Sequence, residues 1–339
     1  MQGKGQFLFG TNVSTDAQYG KSPTGRSVTE IVDCGFVLIN KPPGPSSHQI
    51  TEEVKKILGA SKVGHLGTLD PNVSGVLPVL TGRAVKAAAF LMAEDKEYVG
   101  IMQFHGDIEE SAIRAAFDKF KGRIEQLPPV RSAVARRIRK RTIHSLDLIE
   151  IDGRDVLFRT KVEAGTYIRK LVHDIGKASK VSAHMVELRR TAVSTLRESD
   201  AVTLHFLAEA ALMQKEKGDE TELRRILQPL EQAVEFLGMK RILVSDRAVD
   251  PVCSGAQLMA PGVAGVEISV EDGDTAALLT MKGELVAFGK AEMDAEEMLI
   301  SARGVAAKTS RVIMERGTYP SWEKKRPGGV ERKVKNSED

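Results

Sequence analysis

The stretch Lys62-Val63-Gly64-His65-Leu66-Gly67-Thr68-Leu69-Asp70-Pro71-Asn72-Val73-Ser74-Gly75-Val76-Leu77-Pro78 sets one carboxylate among turn-forming residues. Its glycines permit backbone angles that other residues resist, and Pro71 directs Asp70 away from helical angles. We therefore predict that Asp70 lies on a tight, stiff loop with its carboxylate projecting from the backbone. An Asp-Pro pair is also typical of a turn or a helix cap, and from spacing alone that interpretation stays open.

Secondary-structure signals surround this loop on both sides. The apolar run 36–40 predicts a buried strand, and Ser46 or Ser47 can cap a helix that ends at Gly59. After the loop, Thr81 can cap a helix over 83–92. The pattern then predicts a strand over 97–105 and an amphipathic helix from Asp107 to Gly122.

The second half of the chain contains a hairpin signal and then two different patterns. The turn Asp152-Gly153 separates two apolar stretches, and Thr166 begins a helix that runs to Gly176. Residues 188–235 are charged and predict helices, whereas from Gly238 short strands at close spacing predict a small β-barrel. The expected fold class is therefore mixed α and β (α+β), with a mainly antiparallel sheet and a separate barrel.

The composition is that of a globular protein with room for two domains. The chain has 339 residues, 42% of them hydrophobic and 28% charged, and its apolar runs are too short to span a bilayer. Two cysteines distant in sequence favour neither a disulfide framework nor a zinc site, and no signal peptide is apparent. We expect a cytoplasmic protein. Because the net charge is only +3, any nucleic-acid binding must come from clustered cations.

The Asp70 stretch, continued by Thr81-Gly82-Arg83-Ala84, resembles the signature loop of the TruB family of pseudouridine synthases. Three further stretches are similar to motifs of that family: Lys96-Glu97-Tyr98, Gly165-Thr166-Tyr167-Ile168-Arg169-Lys170-Leu171, and His184 with Leu188-Arg189-Arg190. The chain is most similar to the archaeal, dyskerin-like branch. Without this resemblance, Tyr98 would be interpreted as a core ring and Arg169 as a solvated helix charge.

The resemblance implies a role for each of these positions. Asp70 would be the catalytic residue, and Arg169 would pair with it. Tyr98 would stack on the target base, Leu188 would line the pocket, and His65 would contact the substrate. The isomerisation needs an ionised carboxylate and a stacked base, and it implies neither a metal nor another cofactor. The uridine must leave its helix to reach the carboxylate, as in other enzymes that flip bases.

A cluster of cations precedes the hairpin: Arg131, Arg136, Arg137, Arg139, Lys140 and Arg141. Such density favours phosphate contacts, and the segment resembles the thumb loop of the family, which closes over RNA. A solvated charged surface is the alternative. From Gly238 to about Met314 the chain resembles a PUA domain, a small RNA-binding β-barrel.

These likenesses imply a division of the chain and a set of partners. We expect an N-terminal extension (1–35) that either wanders or packs on the PUA domain, a catalytic domain (36–235), a PUA domain (238–320) and a basic disordered tail (321–339). The implied partners are box H/ACA guide RNA, substrate rRNA or tRNA, Nop- and Gar-type accessory proteins and a kink-turn-binding ribosomal-type protein, with no membrane. Two alternatives remain: a stand-alone tRNA pseudouridine-55 synthase and a non-catalytic RNA-binding scaffold.

Overall fold

The computed structural model describes residues 5–10, 13–127 and 137–321. Its strands, in chain order, are β1 (Phe7–Phe9), β2 (Cys34–Lys41), β3 (Val63–His65), β4 (Ser74–Gly82), β5 (Lys96–Phe104), β6 (Gly122–Gln126), β7 (Arg139–Asp152), β8 (Asp155–Val162), β9 (Ala183–Val193), β10 (Leu196–Arg197), β11 (Leu227–Pro229), β12 (Lys240–Val244), β13 (Leu258–Met259), β14 (Val263–Glu267), β15 (Thr275–Thr280), β16 (Leu285–Ala291) and β17 (Val305–Val312).

The helices are mostly short. They are α1 (Val28–Asp33), α2 (Ser47–Leu58), α3 (Ala88–Leu91), α4 (Glu110–Lys119), α5 (Ile168–Ala178), α6 (Leu204–Lys217), α7 (Thr221–Ile226), α8 (Leu230–Phe236), α9 (Asp246–Cys253) and α10 (Ala295–Ile300). Single 3₁₀ turns occur at Pro23–Gly25, Arg83–Ala87, Glu198–Asp200 and Ala260–Gly262. Within the described part of the chain, no helix is both long enough and apolar enough to cross a membrane.

A ten-stranded sheet forms the larger part of the molecule. Its order is β11-β2-β4-β9-β5-β8-β7-β6, with β3 paired to β4 and β10 paired to β9. Pairing is antiparallel except between β4 and β9, which run parallel and meet only at Ser74–Gly75 and Arg189–Arg190. This short contact brings the end of the Asp70 loop against β9, and β9 in turn lies beside β5.

The elements around the loop follow from local sequence. The predicted strand at 36–40 is confirmed as part of β2, which is buried along almost its whole length because it lies inside the sheet. The helix predicted from Ser46 or Ser47 is also confirmed. Ser46 caps α2 through a capping box with Gln49, and α2 ends before Gly59. Ser47, the first residue of α2, faces the Asp70 loop instead.

The predicted cap at Thr81 is wrong. Residues 74–82 form the fully buried strand β4, and the Thr81 hydroxyl donates to the carbonyl of Gly35 on β2. The apolar end of the signature is therefore a central strand, and 83–92 begins as a 3₁₀ turn before the short α3. The helix predicted from Asp107 is present as α4 but starts three residues later, at Glu110.

The helical prediction for 188–235 is wrong at its beginning. Residues 183–193 form β9, in which Leu188, Arg190 and Ala192 are buried in alternation. Burial of every second residue is typical of a strand with one face in the core. In the sequence, the charged residues between the apolar ones obscure this pattern. Helices occupy much of the remainder, as α6, α7 and α8.

The C-terminal strands form a second sheet of seven strands, in the order β1-β14-β12-β15-β16-β17-β13. The N-terminal strand β1 pairs with β14, so the first described residues complete this sheet. Residues 15–20 also lie against it, because Lys282 donates to the carbonyls of Asp16 (2.7 Å) and Tyr19. The predicted basic tail lies outside the described residues from 322 onward.

The two sheets share an apolar cluster. It joins Phe36, Leu38 and Leu80 of the larger sheet to Leu279 and Phe288 of the smaller one. The rings of Phe90 and Phe288 stack at a centroid distance of 4.6 Å and an interplanar angle of 7°. Since burial of aromatic area is a large contribution to packing, the sheets are held as neighbours by a common core.

Candidate active site

Asp70 lies on the loop that joins β3 to β4, and its carboxylate is accessible. The carbonyl of Asp70 accepts a hydrogen bond from the amide of Val73 at 3.0 Å, which closes a turn around Pro71 and Asn72. Its side chain is 47% exposed, whereas Leu69 and Val73 on either side are buried. The chain therefore anchors the loop by its neighbours and presents the acid to solvent.

A buried lysine holds the far side of the loop. The Nζ atom of Lys41 donates to the carbonyls of Pro42 (2.9 Å), Pro71 (2.8 Å) and Val73 (2.8 Å). Burial lowers the pKa of Lys41, while the charge of Asp70 acts in the opposite direction. The ammonium group thus uses all three of its protons on backbone carbonyls, and two of those carbonyls belong to the Asp70 loop.

Ser47 holds the near side of the loop. Its hydroxyl accepts from the amide of Leu69 at 2.8 Å and donates to the carbonyl of the same residue at 2.9 Å. Gly44 adds a backbone bond to the carbonyl of Pro71 at 2.9 Å. Leu69 and Pro71 are the residues directly before and after Asp70. Because both are held by these hydrogen bonds, the backbone at Asp70 has little freedom to shift.

Arg169, on α5, forms an ion pair with the carboxylate of Asp70. Its Nη2 atom lies 2.5 Å from Oδ2 of Asp70. Arg169 is in the first turn of α5, which starts after Tyr167, and the backbone of Tyr167 is held in both directions by the amide of Gln126. The predicted pairing of Arg169 with Asp70 is therefore present, and the ion pair fixes the orientation of the carboxylate.

Tyr98 and Leu188 lie on neighbouring strands beside the loop. Tyr98 on β5 stands opposite Arg190 on β9, and Leu188 stands opposite Gly100. A Cβ atom on Gly100 would lie 2.8 Å from the Leu188 side chain, so the leucine occupies space that only glycine leaves free. Both side chains are buried. Together they offer an aromatic ring and an aliphatic wall to a flat ligand.

His65 ends β3, on the loop's N-terminal side. Its Nδ1 atom is buried, and it has no hydrogen-bond partner among the residues described. Burial lowers the pKa of His65, and the charge of Arg190 lowers it further. A neutral imidazole with an unused ring nitrogen can donate or accept one hydrogen bond to a ligand.

The basic run separates into residues with different environments. Arg131 and Arg136 lie outside the described residues, whereas Arg137 and Lys140 are exposed. Arg139 is half-buried, and its Nε atom has no partner within the described ranges. Arg141 pairs with Glu163 at 3.1 Å and lies against Gly165, in the turn that precedes α5. Arg141 thus braces the segment that carries Arg169.

Three residues for which the sequence predicted no role at the site contact it or its loop. Lys41 and Ser47 clamp the loop, and Arg190 donates from Nε to the carbonyl of Val76 (2.8 Å) and from Nη2 to that of Gly67 (3.0 Å). The sequence signal for Lys41 is its position at the end of an apolar stretch, directly before Pro42. For Arg190 the signal is the alternation with Leu188 and Ala192.

The arrangement suits chemistry on a flat, extruded ring. An accessible carboxylate is oriented by a guanidinium. Tyr98 and Leu188 lie on the neighbouring strands β5 and β9, and β9 contacts the end of the Asp70 loop. Such a carboxylate can attack an electrophilic carbon or remove a proton from a group held against the ring.

Four family models match the chain in succession. Residues 1–51 match the DKCLD (NUC011) domain, and 55–168 match the N-terminal domain of the TruB family pseudouridylate synthases. Residues 169–235 match the C-terminal domain of tRNA pseudouridylate synthase B, and 240–313 match the PUA domain. The predicted combination of a catalytic domain with a PUA domain is confirmed.

Relatives and solved structures match almost the whole chain. A probable tRNA pseudouridine synthase B of Pyrobaculum aerophilum is 48% identical over 313 residues, which cover 92% of this chain and 93% of the relative. A chain in the crystal structure of a Cbf5-Nop10-Gar1 complex has 43% identity and a TM-score of 0.87, with 94% of this chain and 97% of that chain covered. A chain in an H/ACA RNP bound to a substrate RNA containing 2'-deoxyuridine has 41% identity and a TM-score of 0.85, with 94% and 98% covered. From this identity across nearly its full length, the chain belongs to the TruB family of pseudouridine synthases.

Proposed function

We propose that this pseudouridine synthase isomerises uridine in rRNA as the catalytic subunit of a box H/ACA guide ribonucleoprotein. The observation that carries the proposal is the structural correspondence with a chain of the Cbf5-Nop10-Gar1 complex, which covers 94% of this chain and 97% of that chain. The partners would be a guide RNA, Nop- and Gar-type accessory proteins and a kink-turn-binding ribosomal-type protein. The particle would work in the cytoplasm. The proposed domain boundaries are 36–235 for catalysis and 238–320 for the PUA domain.

In this proposal Asp70 is the catalytic residue and acts as a carboxylate. The target uridine would be extruded from its helix and stacked on Tyr98, with Leu188 against its other side and His65 at its edge. Arg169 would orient the carboxylate through the 2.5 Å contact until the ribose arrives. The uracil would then leave its ribose carbon, turn and rejoin through a ring carbon.

The clamped loop supports this role. Lys41 and Ser47 hold the backbone on both sides of Asp70, and holding a reacting group within a fraction of an ångström can supply about 7–11 kcal/mol of a barrier. A non-catalytic scaffold would have no use for an exposed acid held so closely. The intact Asp70–Arg169 pair therefore favours an enzyme.

RNA contacts would come from two places. The basic run, with Arg137 and Lys140 exposed, would contact phosphates close to the target uridine. The smaller sheet would contact the guide RNA at a distance from Asp70 set by the apolar core that both sheets share. Guidance then depends on a fixed separation between the two binding surfaces.

A stand-alone tRNA pseudouridine-55 synthase is the second candidate. The observation in its favour is that relatives 46–48% identical to this chain carry the name tRNA pseudouridine synthase B. Under that candidate the cleft and the basic run would suffice to bind the TΨC arm, and a guide RNA would add nothing.

Tritium release from RNA labelled at uridine C5 separates the two candidates. The full chain is used because the smaller sheet shares its core with the larger one. We expect release from an rRNA fragment only with the matching guide RNA and accessory proteins, and a mismatched guide is the control. Rapid modification of tRNA by the chain alone, with no gain from a guide, would contradict the guide-dependent proposal.

A further inference from the structure

Arg190, on strand β9, is a fully buried cation. It is 1% exposed, and no ion pair links it to any carboxylate in the described ranges. Burial is the main reason that its pKa is lowered. Removing a charge from water without a counterion costs several kcal/mol. A side chain that only bridged two carbonyls would not need to carry a charge.

Its contacts place that charge at the centre of the site. The guanidinium bonds the carbonyls of Gly67 and Val76, one on each side of the Asp70 loop. Arg190 also stands opposite Tyr98 in the sheet, and the charge of Arg190 interacts with the Tyr98 hydroxyl group. One residue therefore contacts both the segment that carries the acid and the ring proposed to bind the base.

A second buried cation lies at the same point of the loop. A Cβ atom on Gly67 would be 3.5 Å from Nη1 of Arg190 and 3.8 Å from Cε of Lys96. Lys96 is 6% exposed and donates to the backbone carbonyls of Met92 (2.8 Å) and Glu94. Together with Lys41, these residues form what we call the buried cationic floor: Lys41, Lys96 and Arg190.

The reaction creates a negative charge that such a floor can stabilise. When the bond between ribose C1′ and uracil N1 breaks, its electron pair stays on the uracil, which becomes an anion. Carbon C1′ then either forms a bond to a carboxylate oxygen of Asp70, or becomes doubly bonded to C2′ as Asp70 removes the C2′ proton. When C5 bonds to C1′, the electron pair of the uracil enters the new bond, and either the C1′–Asp70 bond breaks and releases the carboxylate or Asp70 returns the proton to C2′. C5 finally loses its proton and N1 gains one.

We propose that Arg190 is a positioning residue whose charge, acting through Gly67 and Tyr98, stabilises the uracil anion while it is detached from the ribose. The inference rests on the proposed function. A fixed charge in a water-poor site acts strongly, because little solvent screens it and it need not reorganise during the reaction. Lys96, which also lies against Gly67, adds a second positive charge at this point of the loop.

A purely structural role would also slow the enzyme when Arg190 is changed, so the test varies the leaving group. The full chain, assembled with guide RNA and accessory proteins, converts RNA that carries uridine or 5-fluorouridine at the target. Fluorine withdraws electrons and makes the departing anion more stable by itself. Loss of the N-glycosidic nucleoside is followed in single turnover by nuclease digestion and chromatography.

Arg190→Gln removes the charge but can still donate to a carbonyl, and Arg190→Lys keeps the charge. For Arg190→Gln we expect a uridine rate reduced by about 100-fold or more, as for the loss of one preorganised donor. The 5-fluorouridine rate should fall several-fold less. Arg190→Lys should recover most of the uridine rate and the wild-type ratio of the two substrates.

An equal loss for both substrates, or an Arg190→Lys variant no faster than Arg190→Gln, would show a structural role only and overturn the inference. If Arg190→Gln does not fold, Lys96→Gln provides the same comparison, because Lys96 also lies against Gly67. Wild-type complex that converts neither substrate would overturn the proposed function and the inference with it. Active wild type with equal losses in the variants would overturn the inference alone.

Discussion

The ammonium group of Lys41 lies 2.8 Å from the carbonyl oxygen of Pro71 and donates a hydrogen bond to it, thirty residues along the chain. Pro71 directly follows Asp70, so this bond anchors the peptide next to the proposed catalytic acid. Lys41 has no exposed surface. The position of Asp70 is therefore tied to the end of strand β2 and not only to its own turn.

Lys41→Met should destabilise the protein and slow the reaction. Methionine fills a similar volume but removes the Lys41 hydrogen bonds to the carbonyls of Pro42 and Val73, at about 1–3 kcal/mol for each buried group. The carbonyl of Pro71 keeps only its bond from the amide of Gly44. The substitution also removes the free-energy cost of burying the lysine charge, and this gain offsets part of the lost stability. We expect a net loss of about 2 kcal/mol, measured by urea unfolding, together with slower single-turnover conversion.

Lys56→Met is the matched control, because Lys56 is 69% exposed on α2 and its ion pair is with Glu53, another exposed side chain. It should change neither quantity appreciably, since exposed pairs contribute about 0–1 kcal/mol. If the two methionine variants behave alike, the clamp on the Asp70 loop has no energetic role.

Tyr98→Phe should retain most of the affinity for the target base and lose much of the rate, because the ring remains while the hydroxyl group beside Arg190 is gone. Tyr98→Ala should also weaken capture of the extruded base, with stacking worth about 1–3 kcal/mol. Single-turnover rates at several enzyme concentrations separate the two effects. Equal activity of all three proteins would place Tyr98 outside the pocket.

Replacing Arg136, Arg137 and Arg139 by alanine should weaken RNA binding and flatten its dependence on salt. Each lost phosphate contact should lower the slope of log K against log salt by about 0.7 to 0.9. Filter binding between low and moderate salt measures this slope. Arg141→Ala is the control. Because Arg141 is already paired with Glu163, its replacement should change the slope less. A slope unaltered in the triple variant would indicate a solvated surface.

Because Lys96 is buried, we expect the free energy of unfolding to depend on pH. Burial, followed by the charge of Arg190, lowers its pKa to about 8. Between that value and the unfolded pKa near 10.4, the unfolded chain binds more protons, so stability rises with pH. Relative to Lys96→Met, the wild-type free energy of unfolding should gain about 3 kcal/mol from pH 7 to pH 10.5. A constant difference between the two proteins would mean that folding leaves the pKa of Lys96 unchanged.

The sequence predicts the site through its motifs more completely than it predicts the sheet. The glycines and Pro71 indicate a loop around Asp70, and family resemblance places Arg169 beside it, as the structure does. Strand β2 is predictable from its apolar run, and β5 from an irregular alternation of apolar residues, because burial on the face of a sheet imposes such patterns.

Strand β9 and the clamps on the loop are not predictable in the same way. Tertiary contacts override the local pattern there. Arg190 occupies a core position that sequence patterns assign to an apolar residue. It can do so because the carbonyls of the distant Gly67 and Val76 accept its hydrogen bonds. Likewise, Lys41 is buried only because the chain returns at Pro71 and Val73. The local pattern can mark either residue as unusual, but it cannot identify hydrogen-bond partners so far along the chain.

The central claim is that Asp70 carries out the isomerisation, and Asp70→Asn tests it most directly. The amide has nearly the same shape, so the loop clamped by Lys41 and Ser47 should persist, and RNA affinity should remain nearly unchanged. The amide can act neither as a carboxylate base nor as an anionic nucleophile. In single-turnover tritium release with guide RNA and accessory proteins, we predict full release by the wild type and none above background by Asp70→Asn. More than trace release by the variant would contradict the assignment.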